Sequence, residues 1–342
     1  MIRFVWFVAM ASGSFLLTFE TAFAQGKTEQ AAKPGTVGKI EVIEQSFRDL
    51  IDPDASIEIL AEGFTWSEGP VWVPDQQCLL FSDVPHNRIY KWQPGKPVAV
   101  FMDKSGLEGD QESAATEPGS NGLALDAAGR LLVCDHGNRR VYRVEKEGSK
   151  TTLADKFEGK RFNSPNDLVI RSNGDIYFTD PPYGLTDKSK RELDFNGVFR
   201  LTLEGKVSVV TRELHRPNGI ALSPDEKVLY VAQSHQPVAT YTKYEVKDDD
   251  SFVRGEIVYD ASVLAVKDPG LPDGMAVDQV GNLWATGPGG VLVISPDGKL
   301  LGRILTGTAT SNCTFGEDGS SLFMTAGNYL LRVKTKTKGL TR

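Results

Sequence analysis

Six short strings in this chain share one form, and each opens on an acid or an amide. They are Glu68 in EGPVW, Asn121 in NGLALD, Asn166 in NDLVIR, Asn218 in NGIALS, Asp273 in DGMAVD and Asn312 in NCTFGE. Glu68, Asn166, Asn218 and Asp273 together offer two carboxylates and two amide carbonyls. Hard oxygen donors of this kind suit calcium first and magnesium or manganese next, whereas zinc ordinarily recruits His or Cys. A cation so held can polarise a carbonyl as a Lewis acid, which is the chemistry the set would support. The competing reading is that Asn-Gly and Asp-Gly are turn dipeptides that tolerate left-handed backbone. It serves as well for any single anchor. It serves less well for the set, because Glu68 opens a different dipeptide and Asn166 is followed by Asp rather than Gly.

The anchors need a scaffold that brings them together, and the repeat supplies one. Each anchor starts an alternating apolar run, then a turn (PDQQ, AAG, SNG, PDE, QVG, EDG), then a second apolar run (LLFSD, LLVCD, IYFTD, LYVAQ, LWAT, LFMT). The anchors are spaced 53, 45, 52, 55 and 39 residues apart, the period of a propeller blade of four short strands. The expected fold is therefore all-β, a six-bladed propeller over residues 51–342. The sixth blade has three strands before the chain ends, so the segment Ser56 to Glu62 (SIEILAE) is expected to supply the fourth and close the ring. In a propeller the first strand of each blade lines the central channel. The anchors then gather at one mouth, beside the residues ending each second strand: Asp83, Asp135 with His136, Asp180, Gln233 with Ser234, and Gly287.

Composition narrows the function. The 342 residues carry a net charge of -7, 40% hydrophobic residues and 34 glycines, a globular composition with many tight turns. Without any Lys/Arg run, nucleic acid and anionic membranes are poor partners, and a small molecule fits better. The glycine-bearing segment TLADKFEGKRFNSPND has no GxGxxG or GK[ST] pattern and the chain has no GxSxG string, so neither a nucleotide loop nor a serine nucleophile elbow is indicated. The three cysteines, Cys78, Cys134 and Cys313, fall on predicted strands and read as buried free thiols. The N-terminus has Arg3, an apolar stretch from Phe4 to Leu17, and the pair Ala22 and Ala24 before Gln25. This reads as a signal peptide over residues 1–24, followed by a polar tether over 25–50. The mature protein is expected to be exported, periplasmic or secreted, without a membrane span. Oligomeric state leaves no mark in the sequence.

Other residues enter with bland readings beside them. Asp83, Asp135 and Asp180 are expected to cap their own turns. His136 is the one histidine placed on the channel face. His86 is expected on the rim, and His215 and His235 in loops near the mouth. The long segment Asp103 to Ser120, without apolar periodicity, reads equally as a lid or as disorder.

The strings EGPVW, FSDVPHNRIYKW, NGLALDAAGRLLVCDHGNRRV, FNSPNDLVIRSNGDIYFTDPPYG, RPNGIALSPDEKVLYVA and LPDGMAVDQVGNLWAT resemble, in order, the gluconolactonase branch of the family that also contains regucalcin. The resemblance runs from about Glu62 to Thr325. It implies a divalent metal at the channel mouth, held by the Glu of EGP, the Asn of NDL, the Asn of PNG and the Asp of DGM, here Glu68, Asn166, Asn218 and Asp273. It also implies hydrolysis of a sugar lactone. On this reading Asp273 doubles as general base, with ligand alone as its alternative role, and Asn121 and His136 position substrate hydroxyls. The metal implied is Ca²⁺, with Mg²⁺, Mn²⁺ or Zn²⁺ as alternatives. Regucalcin-like members carry an arginine two residues before the third-blade Asn; here that place is Ser164, which leaves the substrate open. Two rivals remain: a metal hydrolase of aryl esters or phosphotriesters, which an apolar mouth around Trp66, Phe162 and Tyr183 would favour, and a non-enzymatic exported binding propeller.

Overall fold

A computed structural model describes residues 35–108, 117–185, 187–247, 251–253 and 255–340. Six antiparallel sheets follow one another along the chain, as the repeat requires. Blade one is built from Ser67–Val73, Cys78–Asp83, Arg88–Trp92 and Ala99–Asp103. Blade two comprises Ser120–Leu125, Leu131–Asp135, Arg140–Val144 and Lys150–Ala154. The first strands of blades three to six are Leu168–Ile170, Pro217–Leu222, Met275–Val277 and Asn312–Gly316. Closure is as expected: Ile57–Glu62 pairs antiparallel with Tyr329–Lys334, the last strand of blade six.

The core is divided by the seams between blades. Six apolar clusters are buried among the described residues, and each joins two neighbouring sheets. Between blades two and three, Leu132 and Cys134 meet Leu168 and Phe178. Between blades six and one, Trp72 stacks on Phe323 with ring centroids 5.6 Å apart. Strand alternation explains this: both faces of every sheet are covered by a neighbour, so both faces are apolar. The three cysteines are buried and free, as their positions implied.

One expectation is corrected. Residues 35–50, the described part of the segment read as a tether, belong to the propeller. Thr36–Val37 adds to blade six through Ile57–Glu62, and Lys39–Val42 adds a fifth strand to blade five beside Leu300–Leu305. Phe47 is fully buried against Trp284, with ring centroids 6.5 Å apart. The composition is polar because strand Lys39–Val42 lies on the outer edge of its sheet, where Lys39 is exposed and the other three residues are half-buried. The segment is anchored by backbone pairing and by a single aromatic plug. The leader read over residues 1–24 lies outside the described residues. Among the described residues no helix is long and apolar enough to cross a membrane.

Candidate active site

The anchors are aimed by a recurrent irregularity. In blades one, two and four the pairing of the first strand with the second shifts at the anchor, between Glu68 and Val71, Ser120 and Leu123, and Pro217 and Ile220. A bulge there turns the anchor side chain out of the ladder and toward the axis. Crowding at the axis then explains the glycines. A Cβ on Gly219 would stand 2.1 Å from the carbonyl oxygen of Asp273, and one on Gly274 would stand 2.0 Å from the side chain of Asn312. The Gly of NG and DG is therefore required here by close approach of the next blade rather than by turn geometry. Hydroxyls on the second strands latch the neighbouring anchors in place. Ser82 Oγ donates to the carbonyl of Asn121 at 2.8 Å, and Thr179 Oγ1 to that of Asn218 at 2.7 Å.

This frame joins Asn121, Asn166, Asn218 and His136 in one hydrogen-bonded chain. Asn121 Nδ2 donates to Asn166 Oδ1 at 2.8 Å, and Asn166 Nδ2 donates to Asn218 Oδ1. His136 Nε2 lies 3.0 Å from the same Asn166 Oδ1 and donates to it, because that oxygen can only accept. The other ring nitrogen, Nδ1, faces Glu117 Oε2 at 3.1 Å, an ion-pair distance outside hydrogen-bond geometry. The orientation of each amide is thus dictated by its neighbour, from blade two through blade four. Glu68 and Asp273 stand beside them, Glu68 buried and Asp273 half-buried with its Oδ1 shielded from solvent.

The carboxyls are crowded. Burial, then the negative charges of Asp167 and Glu117, push Glu68 up to about 8, against the N–H of Gly69, which donates to Oε2 at 3.0 Å. Asp273 is held well above the usual carboxylate range by burial and then by Glu68, Asp167 and Glu117. Asp167, one position past the Asn166 anchor, is pushed to about 7 by burial and accepts from the N–H of Leu168 at 2.9 Å. Such mutual repulsion is the electrostatic condition that a bound cation relieves. Among the anchors, Asp273 Oδ1 and Asn121 Oδ1 are buried acceptors without a hydrogen-bond partner. Orphan oxygens beside raised carboxyls are what an oxygen-liganded cation needs. The fit differs among the four expected ligands. Asn218 Oδ1 keeps acceptor capacity beyond the bond from Asn166, whereas Asn166 Oδ1 already takes two donors. Among the described residues, no group of three or more His, Cys, Asp or Glu is placed to hold a metal, so any cation here depends on the amides.

Of the second-strand acids only Asp135 caps the backbone of its own turn; Asp83 and Asp180 instead hold the backbone that leads into the first strand of their blade. Asp83 accepts from the N–H groups of Thr65 and Trp66, both at 3.1 Å, and from His86 Nδ1 at 2.7 Å. Asp180 accepts from the N–H groups of Asn163 and Ser164. Asp135 takes Asn138 and Arg140. Phe162 packs on Phe178 and Phe199 in the seam core and so does not line the mouth. Below the anchors the channel opens into a cavity of about 180 Å³ lined by Asp167, Asn312 and apolar first-strand side chains, with Leu340 at the end away from the anchors. Sequence reading missed Asp167 and Glu117 as members of the mouth, and named Tyr183 only as part of an apolar rival. Asp167 was visible in the NDL string. Glu117 was hidden in a segment without periodicity, of which residues 109–116, and with them the middle of the lid expectation, lie outside the described residues.

Comparison with known proteins agrees with this architecture. Residues 66–328 match the model of the SMP-30/Gluconolactonase/LRE-like region. The chain is 41% identical over 327 residues to a gluconolactonase of Zymomonas mobilis, covering 91% of each. It is 28% identical to a pentonolactonase of Haloferax volcanii, covering 75% of this chain and 80% of that one. A solved gluconolactonase structure from Xanthomonas campestris superposes with a TM-score of 0.77 at 34% identity, covering 89% of this chain and 98% of that one.

Proposed function

The chain belongs to the SMP-30/Gluconolactonase/LRE-like family, and we propose that its channel mouth hydrolyses a sugar lactone of the gluconolactone type to the open-chain acid. The observation that carries this reading is Asp273 Oδ1, buried and unpartnered in a mouth shared with Glu68. A base waiting for a proton and a ligand waiting for a cation both present this feature. Glu68, Asn218 and Asp273 would hold a divalent cation, Ca²⁺ first, and Asn166 joins them by releasing one of its two donors. When bound, such a cation polarises the lactone carbonyl and offsets the negative charge that develops on its oxygen.

The residues of the chain do the rest. Asp273 takes a proton from a water as that water adds to the carbonyl carbon, and returns it to the ring oxygen as the acyl C–O bond breaks. One water is consumed and one hydroxy acid is released, so atoms and charge balance. Asn121 offers its free Oδ1 to a substrate hydroxyl. His136 holds Asn166 in register through Nε2 and so fixes the amide chain. Burial of the mouth keeps these dipoles oriented before substrate arrives. Export to the periplasm or beyond is part of the proposal and rests on the N-terminal sequence alone. An aryl-ester or phosphotriester site would want an apolar mouth, and the placement of Phe162 in the seam core gives it no support.

The test is hydrolysis of D-glucono-δ-lactone, followed by acid release, on protein stripped with chelator and supplied in turn with Ca²⁺, Mg²⁺, Mn²⁺ and Zn²⁺. Activity lost with the metal and restored by an oxygen-preferring ion is the expected outcome. Activity that survives stripping removes the metal from the proposal, and no activity under any condition removes the lactone.

A further inference from the structure

The rim of the mouth carries positive charge that neither a cation site nor a neutral sugar ring requires. Tyr183 stands in the loop after Ile176–Asp180, and its buried hydroxyl has no partner in hydrogen-bond geometry, although Ser234 and the charge of Asp273 are near enough to act on it. Over its ring lies the guanidinium of Arg216, 5.9 Å from the centroid. Arg216 is exposed, two positions before the anchor Asn218. His215 adjoins it in sequence, and its ring centroid is 4.8 Å from that of His235 in the next loop of the same blade. His235 is held below its ordinary value by desolvation and then by His215 and Arg216, which places the three groups within electrostatic reach of one another. Among the described residues no carboxylate stands at ion-pair distance from any of the three.

The fixed charge of Arg216 on one side of an otherwise acidic mouth works against protonation of His235 and does nothing for a neutral ligand. Arg216 and the two imidazoles beside it are favourable when an anion sits among them. We propose that Arg216, with His215 and His235, forms an anion subsite on the rim, and that the lactone this protein hydrolyses bears a carboxylate or phosphate remote from its carbonyl. This rests on the lactonase reading above and extends it to the class of substrate. The guanidinium fork matches either anion through two parallel hydrogen bonds. The partnerless Tyr183 hydroxyl lies between the subsite and Asp273, where a sugar hydroxyl would reach it. The anion would hold one end of the substrate while the ring carbonyl faces the anchors, a two-point attachment that fixes orientation.

D-glucono-1,4-lactone and D-glucaro-1,4-lactone share a ring and differ in the group at C6, neutral in the first and a carboxylate in the second. The kcat/KM of each is measured on the full chain and on Arg216→Gln and Arg216→Lys, with 6-phospho-D-gluconolactone as a third arm to separate phosphate from carboxylate. We expect a charged lactone to be preferred by at least tenfold, the preference to collapse in Arg216→Gln through KM, and Arg216→Lys to restore part of it. Equal use of charged and neutral lactones, or a charged-to-neutral ratio unmoved by Arg216→Gln, overturns the subsite. Should no lactone be hydrolysed, the reaction assignment fails by itself, and calorimetric titration with D-glucarate against the neutral D-glucitol still decides the subsite. Glucarate binding that is lost in Arg216→Gln then upholds it, and glucarate binding that is absent, equal to that of glucitol or unmoved in Arg216→Gln ends it.

Discussion

Nδ2 of Asn121 donates to Oδ1 of Asn166 across the seam between blades two and three, at 2.8 Å. Neither side chain has a way to turn without stranding the next, because Asn166 is committed in the same way to Asn218. Replacing Asn166 by Ala leaves Asn121 Nδ2, Asn218 Oδ1 and His136 Nε2 short of a partner in a buried site. Chemical denaturation should record a loss of about 1–3 kcal/mol, and lactone hydrolysis should fall with it. Full stability in this variant would mean that water replaces the amide and that the chain of bonds is not a rigid unit.

Asp273→Asn keeps the shape of the side chain and removes its basicity. General-base assistance is worth about 10²- to 10⁴-fold, so kcat should drop by that order while circular dichroism and the thermal midpoint stay close to wild type. A variant with near-normal kcat would reduce Asp273 to a ligand.

Cation affinity should depend on pH with a definite sign. Glu68 is pushed up to about 8 and Asp273 is raised as well, so near pH 6 Glu68 holds a proton that a cation must displace. Affinity for Ca²⁺ rises as pH climbs from 6 toward 8, by about tenfold per unit for that proton. Titration calorimetry in two buffers of different ionisation enthalpy reads the released protons directly. A dissociation constant flat over that range would show that Glu68 is not a ligand.

Gly219→Ala puts a methyl group 2.1 Å from the carbonyl oxygen of Asp273. The backbone of blade five must move away, at a cost of about 1–3 kcal/mol, and the carboxylate moves with it. The thermal midpoint and the lactone kcat should therefore fall together. Retention of both would mean that the axis is looser than its contacts imply.

Phe47→Ala tests the corrected N-terminal segment. A fully buried phenylalanine truncated to alanine typically costs about 3–5 kcal/mol, whereas the same change in a tether would cost nothing. Urea denaturation distinguishes the two.

The repeat was legible because each blade needs the same alternating strands and the same turns. Strand Ile57–Glu62 was legible as the fourth strand of blade six because that blade was one strand short. The anchors followed from the topology, since the first strand of every blade meets the axis. Lys39–Val42 was not legible, because an outer edge strand whose residues are exposed or half-buried has the composition of a linker. Asp167 went unmarked for a different reason: its role depends on burial in the channel, and an acid next to an anchor carries no sign of which side of the strand it faces. Glu117 and Arg216 lie in connections, where no periodicity predicts direction. Their partners, His136 and Tyr183, are supplied by different loops, and only the closed ring makes them neighbours.

Blade six is assembled from opposite ends of the chain, and Arg332 bonds to Glu58 across a separation of 274 residues. During synthesis the first strand of that pair waits for the last, so the ring stays open until translation is nearly over and five sheets sit with an exposed edge meanwhile. Long-range pairing of this kind folds slowly. Under the proposed export that delay would be useful: a chain that cannot seal early remains threadable, and the event that locks the mouth into shape is postponed until Tyr329–Lys334 has been delivered.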